Sequence, residues 1–387
     1  MLTADPLLTT EQRDIAAALD ELCDRMLTAD YLTRADREAR YPSEVMAALA
    51  EAGWAGACVP VDCGGSGASP AELVVVLETL ARRSLTVGQA FFSMWLLGSE
   101  AIDRLGTAEQ RADWLPRIAR SGANVAFALT EPGSGSDAAA LITRATRDRD
   151  DFVLEGQKVF ITGAAIADTI ITAVRTSSGE GGKQSGITTV MVDPTAPGVE
   201  IRKLDKMGIR GLDLCEVFLQ GARVPASAVL GEADRGWQGL TPGLALERMY
   251  LAALCVGALR GLVEECSAHA LTRTSFGRPL ASHQLVADKL VEMRVALDTA
   301  RATVKQVVAL VEADHPTAVA AASVAKLHAS RAYVSACREA VQVFGGYGFT
   351  DEYPVSRHYR DCKYLEIGGG SSEIQKIVIG RSMGFRL

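Results

Sequence analysis

Between residues 10 and 120, apolar residues return every three or four positions, as in EQRDIAAALDELCDRMLTAD and SEVMAALAEAGW, and again in AELVVVLETLARRS after Pro70. That period predicts helices with one buried stripe, so the first third reads as α-rich. Residues 59–70, VPVDCGGSGASP, interrupt it with the turn chemistry of Gly, Ser and Pro. From about 122 to 232 the texture changes to short β-branched runs split by Gly, Pro and Asp: DDFVLEGQKVFITG, ADTIITAVRT, SGITTVMVD, GVEIRKL and CEVFLQGARVP. Strands at this spacing predict a β-sandwich or barrel-like domain, with SSGEGGKQS, residues 177–185, as an exposed hairpin tip. After Trp237 the helical period returns almost to the end, broken by TRTSFGRPLASHQ and FGGYGFTDEYP, which predicts four long helices packed as a bundle. The expected fold is α+β in three units: an α-helical domain over 1–121, a β domain over 122–234 and a helical bundle over 235–387.

Length and charge narrow this further. At 387 residues the chain exceeds one ordinary hydrophobic core, which agrees with several domains. A net charge of −7 without a basic stripe argues against nucleic acid as the main partner. The opening MLTADPLLTTEQRD carries Asp5 and Glu11 and no basic segment followed by an apolar run, so the expected location is cytoplasmic. The most apolar stretch, LAALCVGALRGLVEEC, meets Arg260 and the Glu264–Glu265 pair too soon to predict membrane insertion. Eight scattered cysteines without a CxxC, and five histidines far from ligand spacing, predict reduced thiols and no metal.

Generic nucleotide motifs are missing: no G-x-G is followed three residues later by Gly, and GEGGKQ lacks the upstream Gly of a phosphate loop. TEPGSGSD, residues 130–137, lacks the G-x-S-x-G spacing of a hydrolase elbow. It reads either as a loop of backbone and hydroxyl donors suited to an anion or as a plain interdomain turn. The most informative single residue is Glu247. On a helix it shares a stripe with Leu251, Leu254 and Ala258, with no cation four residues on. A carboxylate there is either desolvated, and so a stronger base, or reaches water at the helix mouth.

Seven blocks then stand in order: FALTEPGSGSD, KVFITG, LDKMGIRG, VPASAVLGE, RTSFGRPLASHQ, VQVFGGYGF and RDCKYLEIGGGSSEIQKIVIGR. Through them the chain resembles the acyl-CoA dehydrogenase flavoproteins over essentially its whole length. That resemblance implies an N-terminal α-helical domain, a central β-barrel or sandwich domain and a C-terminal four-helix bundle, with FAD between the last two and across a subunit contact. By the matching motifs, Phe127, Leu129, Thr130 and Ser136 would line the flavin ring and diphosphate, with Phe160 and Thr162 beside the reactive nitrogen. Arg273, Phe276, Gln284, Gln342, Gly345 and Gly346 would receive the FAD of a neighbouring subunit in a homodimer or homotetramer. Ser371 and Glu373 would close over it.

Most of this family carries its catalytic Glu just before a Gly-Thr in the last loop, and that position is Gly369 here. A smaller group, which includes isovaleryl-CoA dehydrogenases, has small residues there and takes its glutamate from the first long helix of the C-terminal domain, just before an Arg. Glu247-Arg248 matches that position, and LEIGGGSSE is similar to the corresponding loop. The resemblance therefore implies α,β-dehydrogenation of a short, branched acyl thioester: Glu247 takes the α-proton, and the β-hydride passes to flavin. Ser136, Arg248, Gly369 and Gly370 would meet the substrate. Gly163, where Asn is common, and Leu212, where a small polar residue is frequent, depart from the pattern. Acyl-carrier-protein or peptidyl-carrier-protein thioesters remain a second substrate class, and a non-catalytic thioester-binding scaffold a third reading. An electron-transfer flavoprotein is the implied electron acceptor.

Overall fold

The computed structural model describes residues 8–178 and 181–387. Helix starts follow local chemistry. Helix α1, Thr10–Met26, opens on a capping box of Thr9 and Gln12, while α4, Pro70–Arg83, opens on Ser69 and Glu72 with Pro70 at its first position. Between them lie α2, Ala29–Arg37, and α3, Ser43–Glu51. Helix α5, Leu85–Ala90, runs through a π-helical turn at Phe91–Leu96 into α6, Leu97–Leu105, and α7, Ala108–Ser121, ends this layer.

The strands expected as a barrel or sandwich join in one mixed sheet. They are β1, Val125–Ala128; β2, Arg144–Asp148; β3, Asp151–Thr162; β4, Thr169–Arg175; β5, Ile187–Val192; β6, Val199–Lys203; β7, Leu214–Pro225; and β8, Val229–Leu230. The order is β6-β7-β3-β2-β4-β5-β8, with β1 parallel to β4. Buried Leu154, Ile161, Ile170, Val190, Val217 and Leu219 form the sheet's own core. The hairpin tip expected at 177–185 falls partly outside the described residues.

The last layer holds three long helices: α8, Gly236–Thr272; α9, Gln284–Glu312; and α10, Ala318–Phe344. The fourth bundle member is short. Chain from α11, Pro354–Asp361, and α12, Tyr364–Ile367, leads through the glycine loop into α13, Ser372–Ser382, which packs on α10. Helix α8 packs on α4, α9 and α10. Its Gly257 and Gly261 lie against the backbone of Glu78 and Arg82 on α4, where any Cβ would collide. That approach ties the first layer to the third. Contrary to the expectation from Arg260 and Glu264, α8 is long and apolar enough to cross a bilayer by length and composition, and 69% of its most apolar window is buried inside the protein. Its apolar surface is used in packing on three sides.

Candidate active site

Glu247 projects from α8 toward the glycine loop. Gly369 adopts φ +63°, and a Cβ there would stand 3.6 Å from Glu247 Oε1 and would overlap Leu251 Cδ1. The stripe partner Leu251 thus stands against the same glycine. Burial pushes the Glu247 carboxyl up from its ordinary value, and the charges of Arg248 and Lys326 oppose that rise. Arg248 has its own pKa lowered by burial and places Nη1 3.3 Å from Ser323 Oγ.

The loop itself is held from below. Gly370, with φ +88°, offers its carbonyl to Lys326 Nζ at 2.8 Å and to Gln375 Nε2 at 2.8 Å; Gln375 Nε2 also donates to the Gly369 carbonyl at 3.0 Å. Ser371 then caps α13, accepting from the Ile374 N–H at 3.4 Å, and Glu373 occupies that helix's first turn, exposed, where the free N–H groups hold its carboxyl below the ordinary range. Tyr364 packs its ring beside Gly368, accepts a hydrogen bond from Gln89 Nε2 at 3.1 Å and lies near both Thr162 and Glu247.

A second wall comes from the sheet. The β3–β7 pairing shifts register between Lys158 and Ile161, and in that bulge Phe160 takes φ +59° and turns outward, 61% exposed. Thr162 follows at the strand end, half-buried. Opposite, β1 leads through half-buried Phe127, Leu129 and Thr130 into the Gly and Ser loop, where the Thr130 carbonyl accepts from the Val159 N–H at 3.0 Å. Ser136 is exposed, and Gly133 and Gly135 have open space where side chains would project. The loop is not a plain turn. Buried Glu131 accepts from the Ile142 and Thr143 N–H groups at 2.7 and 2.9 Å and from Lys158 Nζ at 2.8 Å, while Lys158 also donates to the Leu129 carbonyl at 3.1 Å. Burial opposes ionisation of Glu131, but Lys158 and the two N–H groups outweigh it and hold the carboxyl low; burial pulls Lys158 down to about 8 against the pull of Glu131.

Gly163 also finds a reason here: it takes φ +71°, a left-handed conformation that favours glycine, and a Cβ would displace the Met94 thioether. Leu212 is buried in the core. The remaining candidates form a separate outer surface. A cavity of about 510 Å³ is lined by His269, Arg273, Phe344, Gly345, Gly346 and Tyr347, with the Arg273 guanidinium 5.2 Å from the Tyr347 ring centre. Gln342 is exposed near the end of α10 and Gln284 at the start of α9. Phe276 is 95% exposed with φ +49°. The fold therefore gathers Glu247, Arg248, Gly369, Gly370 and Tyr364 in one cluster, sets Phe160 and Thr162 at the neighbouring strand end, and leaves Arg273 through Gln284 facing outward. Sequence reasoning missed Lys326, Gln89, Tyr364 and the Glu131–Lys158 pair. A lone lysine among the alanines of α10 was the one legible signal.

Comparison with known proteins agrees with this architecture. The acyl-CoA dehydrogenase N-terminal, middle and C-terminal domain models match residues 9–122, 126–222 and 234–384. A mitochondrial isovaleryl-CoA dehydrogenase of Pongo abelii is 31% identical over 378 residues, covering 97% of this chain and 89% of that one. Butyryl-CoA dehydrogenase from Megasphaera elsdenii superposes with a TM-score of 0.93 at 31% identity, covering 98% of this chain and all of that one. The prolyl acyl carrier protein oxidase AnaB superposes with a TM-score of 0.92 at 29% identity over the same shares.

Proposed function

Because this chain belongs to the acyl-CoA dehydrogenase family, an oxidoreductase family acting on CH–CH bonds with FAD, we propose that it desaturates a short, branched acyl-CoA thioester with Glu247 as the base. The observation that carries this is the facing of Glu247 and Gly369: the side chains nearest that point of the cleft, Glu247 and Leu251, both come from the helix.

The residues present fit the cofactor. Open glycines at 133 and 135, an unpaired buried Ser134 hydroxyl and exposed Ser136 suit a diphosphate, and outward Phe160 with Phe127 suits a flat ring. FAD, when bound, supplies the acceptor for the hydride leaving the β-carbon. Leu129 and Thr130 would hold its ring edge and Thr162 its reactive side. Arg273, Phe276, Gln284, Gln342, Gly345 and Gly346 would serve the cofactor of a second copy in a homodimer or homotetramer, with Ser371 and Glu373 at the closing segment.

Glu247 does the protein's share of the chemistry. Its half-buried, desolvated carboxylate is a stronger base than one in water, and Arg248 and Lys326 keep its ionised form accessible. On taking the α-proton it becomes neutral, which its desolvation favours. Gly369, without a Cβ, leaves the α-carbon room beside Oε1, and Gly370 and Ser136 line the approach of the thioester. Tyr364, fixed by Gln89 beside Glu247, supports a short acyl chain.

Anaerobic mixing with isovaleryl-CoA, followed by loss of the visible flavin absorption, tests this. Rapid bleaching in the wild type and none in Glu247→Gln is the expected result; bleaching in both would remove Glu247 as base. The likeness to the prolyl carrier-protein oxidase favours a second reading, a carrier-protein thioester. Bleaching by the carrier-bound acyl group but not by its CoA ester would select it. An electron-transfer flavoprotein is the proposed acceptor; the caffeyl-CoA reductase-Etf complex subunit CarC of Acetobacterium woodii, 32% identical over 360 residues, supports that reading.

A further inference from the structure

Lys326 is among the largest side chains in the molecule to be wholly buried, an unusual place for an ammonium group. It has a specific task there: Nζ donates to the Gly370 carbonyl at 2.8 Å. Gly370 follows Gly369, whose Cα faces the Glu247 carboxylate. Helix α10 therefore reaches the catalytic cleft through one cation that holds the loop opposite the base. No salt bridge holds Lys326 among the described residues; the carboxylates that act on it, Glu247 and Glu366, do so through space. We infer that Lys326 is a positioning residue for Glu247, fixing the glycine loop against it and bringing a buried cation to the same site. This rests on Glu247 being the base.

The charges around both groups are few. Glu247 faces Arg248 on α8 and Lys326 on α10, with the Tyr364 phenol on α12. Lys326 faces Glu247, Arg248 and Cys255 on α8 and Glu366 on α12, and burial lowers it to about 8. Loss of the Lys326 charge removes one of the two cations opposing the rise of Glu247, so Glu247 must move further up. Loss of the donor frees Gly370 and loosens the wall against which the substrate is held.

Two variants separate the roles. Lys326→Gln keeps a donor for the Gly370 carbonyl and removes the charge; Lys326→Met removes both. The protonated Glu247 carboxyl band, identified by infrared difference against Glu247→Gln, is followed through a pH titration of the FAD-loaded protein. In both variants its midpoint is expected above that of the wild type. Lys326→Met alone is expected to raise KM for the thioester on the order of tenfold. A midpoint unmoved in Lys326→Gln overturns the inference. Should Lys326→Met fail to retain FAD, Lys326→Gln and Lys326→Arg still decide it, since Arg restores charge and must return the midpoint toward wild type. The infrared titration needs no turnover, so a wild type that no thioester reduces would count against the proposed function and leave this test intact.

Discussion

Glu247, in the first third of α8, and Gly369 face each other: a Cβ on Gly369 would lie 3.6 Å from Glu247 Oε1 and would overlap the Leu251 Cδ1 methyl. One carboxylate position can therefore be reached from the helix or from the loop, and Leu251 bars the loop route. Glu247→Gln is expected to slow flavin reduction by roughly 10²–10⁴-fold with FAD still bound. Glu247→Gly with Gly369→Glu is expected to stay inactive, and adding Leu251→Ala to restore measurable reduction. Stopped-flow absorbance reads all three; activity of the double variant with Leu251 intact would show that the methyl is no barrier.

The same carboxylate sets a pH dependence. Burial raises Glu247 above its unfolded value, so the proton binds the folded state more tightly than the unfolded one. The favourable contribution is full below the unfolded pKa and is lost as pH rises through the folded pKa. Glu247→Gln, which never ionises, is expected to melt higher than wild type at neutral pH and to converge with it in acid. Thermal melts across that range check the sign, and a gap that widens in acid would reverse it.

Much of this centre was legible because its signals are local. Glu247 and Leu251 stand four apart on one stripe, and the glycine run at 368–370 is visible in the chain itself. The anchors were not, because they are long-range. Lys326 meets Gly370 across 44 residues, Glu131 meets Lys158 across 27, and Gln89 meets Tyr364 across 275. No period or spacing encodes such a pairing; it exists only once α10 and α12, or the loop and β3, are packed. The single sheet was likewise hidden, since strand texture does not say whether eight strands form one sheet or two.

Lys158 and Glu131 form the most enclosed ion pair among the described residues, with side chains 0% and 3% exposed. Removing one partner leaves the other charged and buried. Lys158→Met is expected to cost about 3–5 kcal/mol in stability and to weaken FAD retention, since it also frees the Leu129 carbonyl. Lys158→Met with Glu131→Leu is expected to recover part of the stability and less of the FAD binding. Denaturant melts and flavin release on gel filtration separate the two losses; equal recovery of both would mean the pair acts only on stability.

Phe276, Leu285 and Phe349 are 95%, 81% and 92% exposed in the single chain. Apolar side chains so placed suit cover by a second copy. Phe276→Asp is expected to shift the assembly toward monomer and, with the proposed outer FAD surface thereby lost, to lower FAD retention. Sedimentation velocity gives the first result and the protein-to-flavin absorbance ratio the second. A monomeric wild type with full FAD would refute both.

Glu100 supplies a stability test away from the chemistry. It sits on α6, accepts a hydrogen bond from Tyr250 Oη at 3.0 Å, and is raised by burial to about 7 against the pull of that bond and of Arg104. A carboxyl raised from 4.5 to about 7 penalises the folded state once it must ionise. Sign and window follow: the penalty is absent below pH 4.5, grows between the two values and is full above the upper one. Glu100→Gln keeps an acceptor for Tyr250 and removes the charge. At pH 8 it is expected to gain on the order of 2 kcal/mol over wild type, solvent screening of a half-buried group included, and to gain nothing at the acidic end. Paired denaturant melts at both values check this. An equal gain at both would trace the effect to packing, and a loss at pH 8 would mean that the ionised Glu100 is stabilised by Arg104 beyond the cost of its burial.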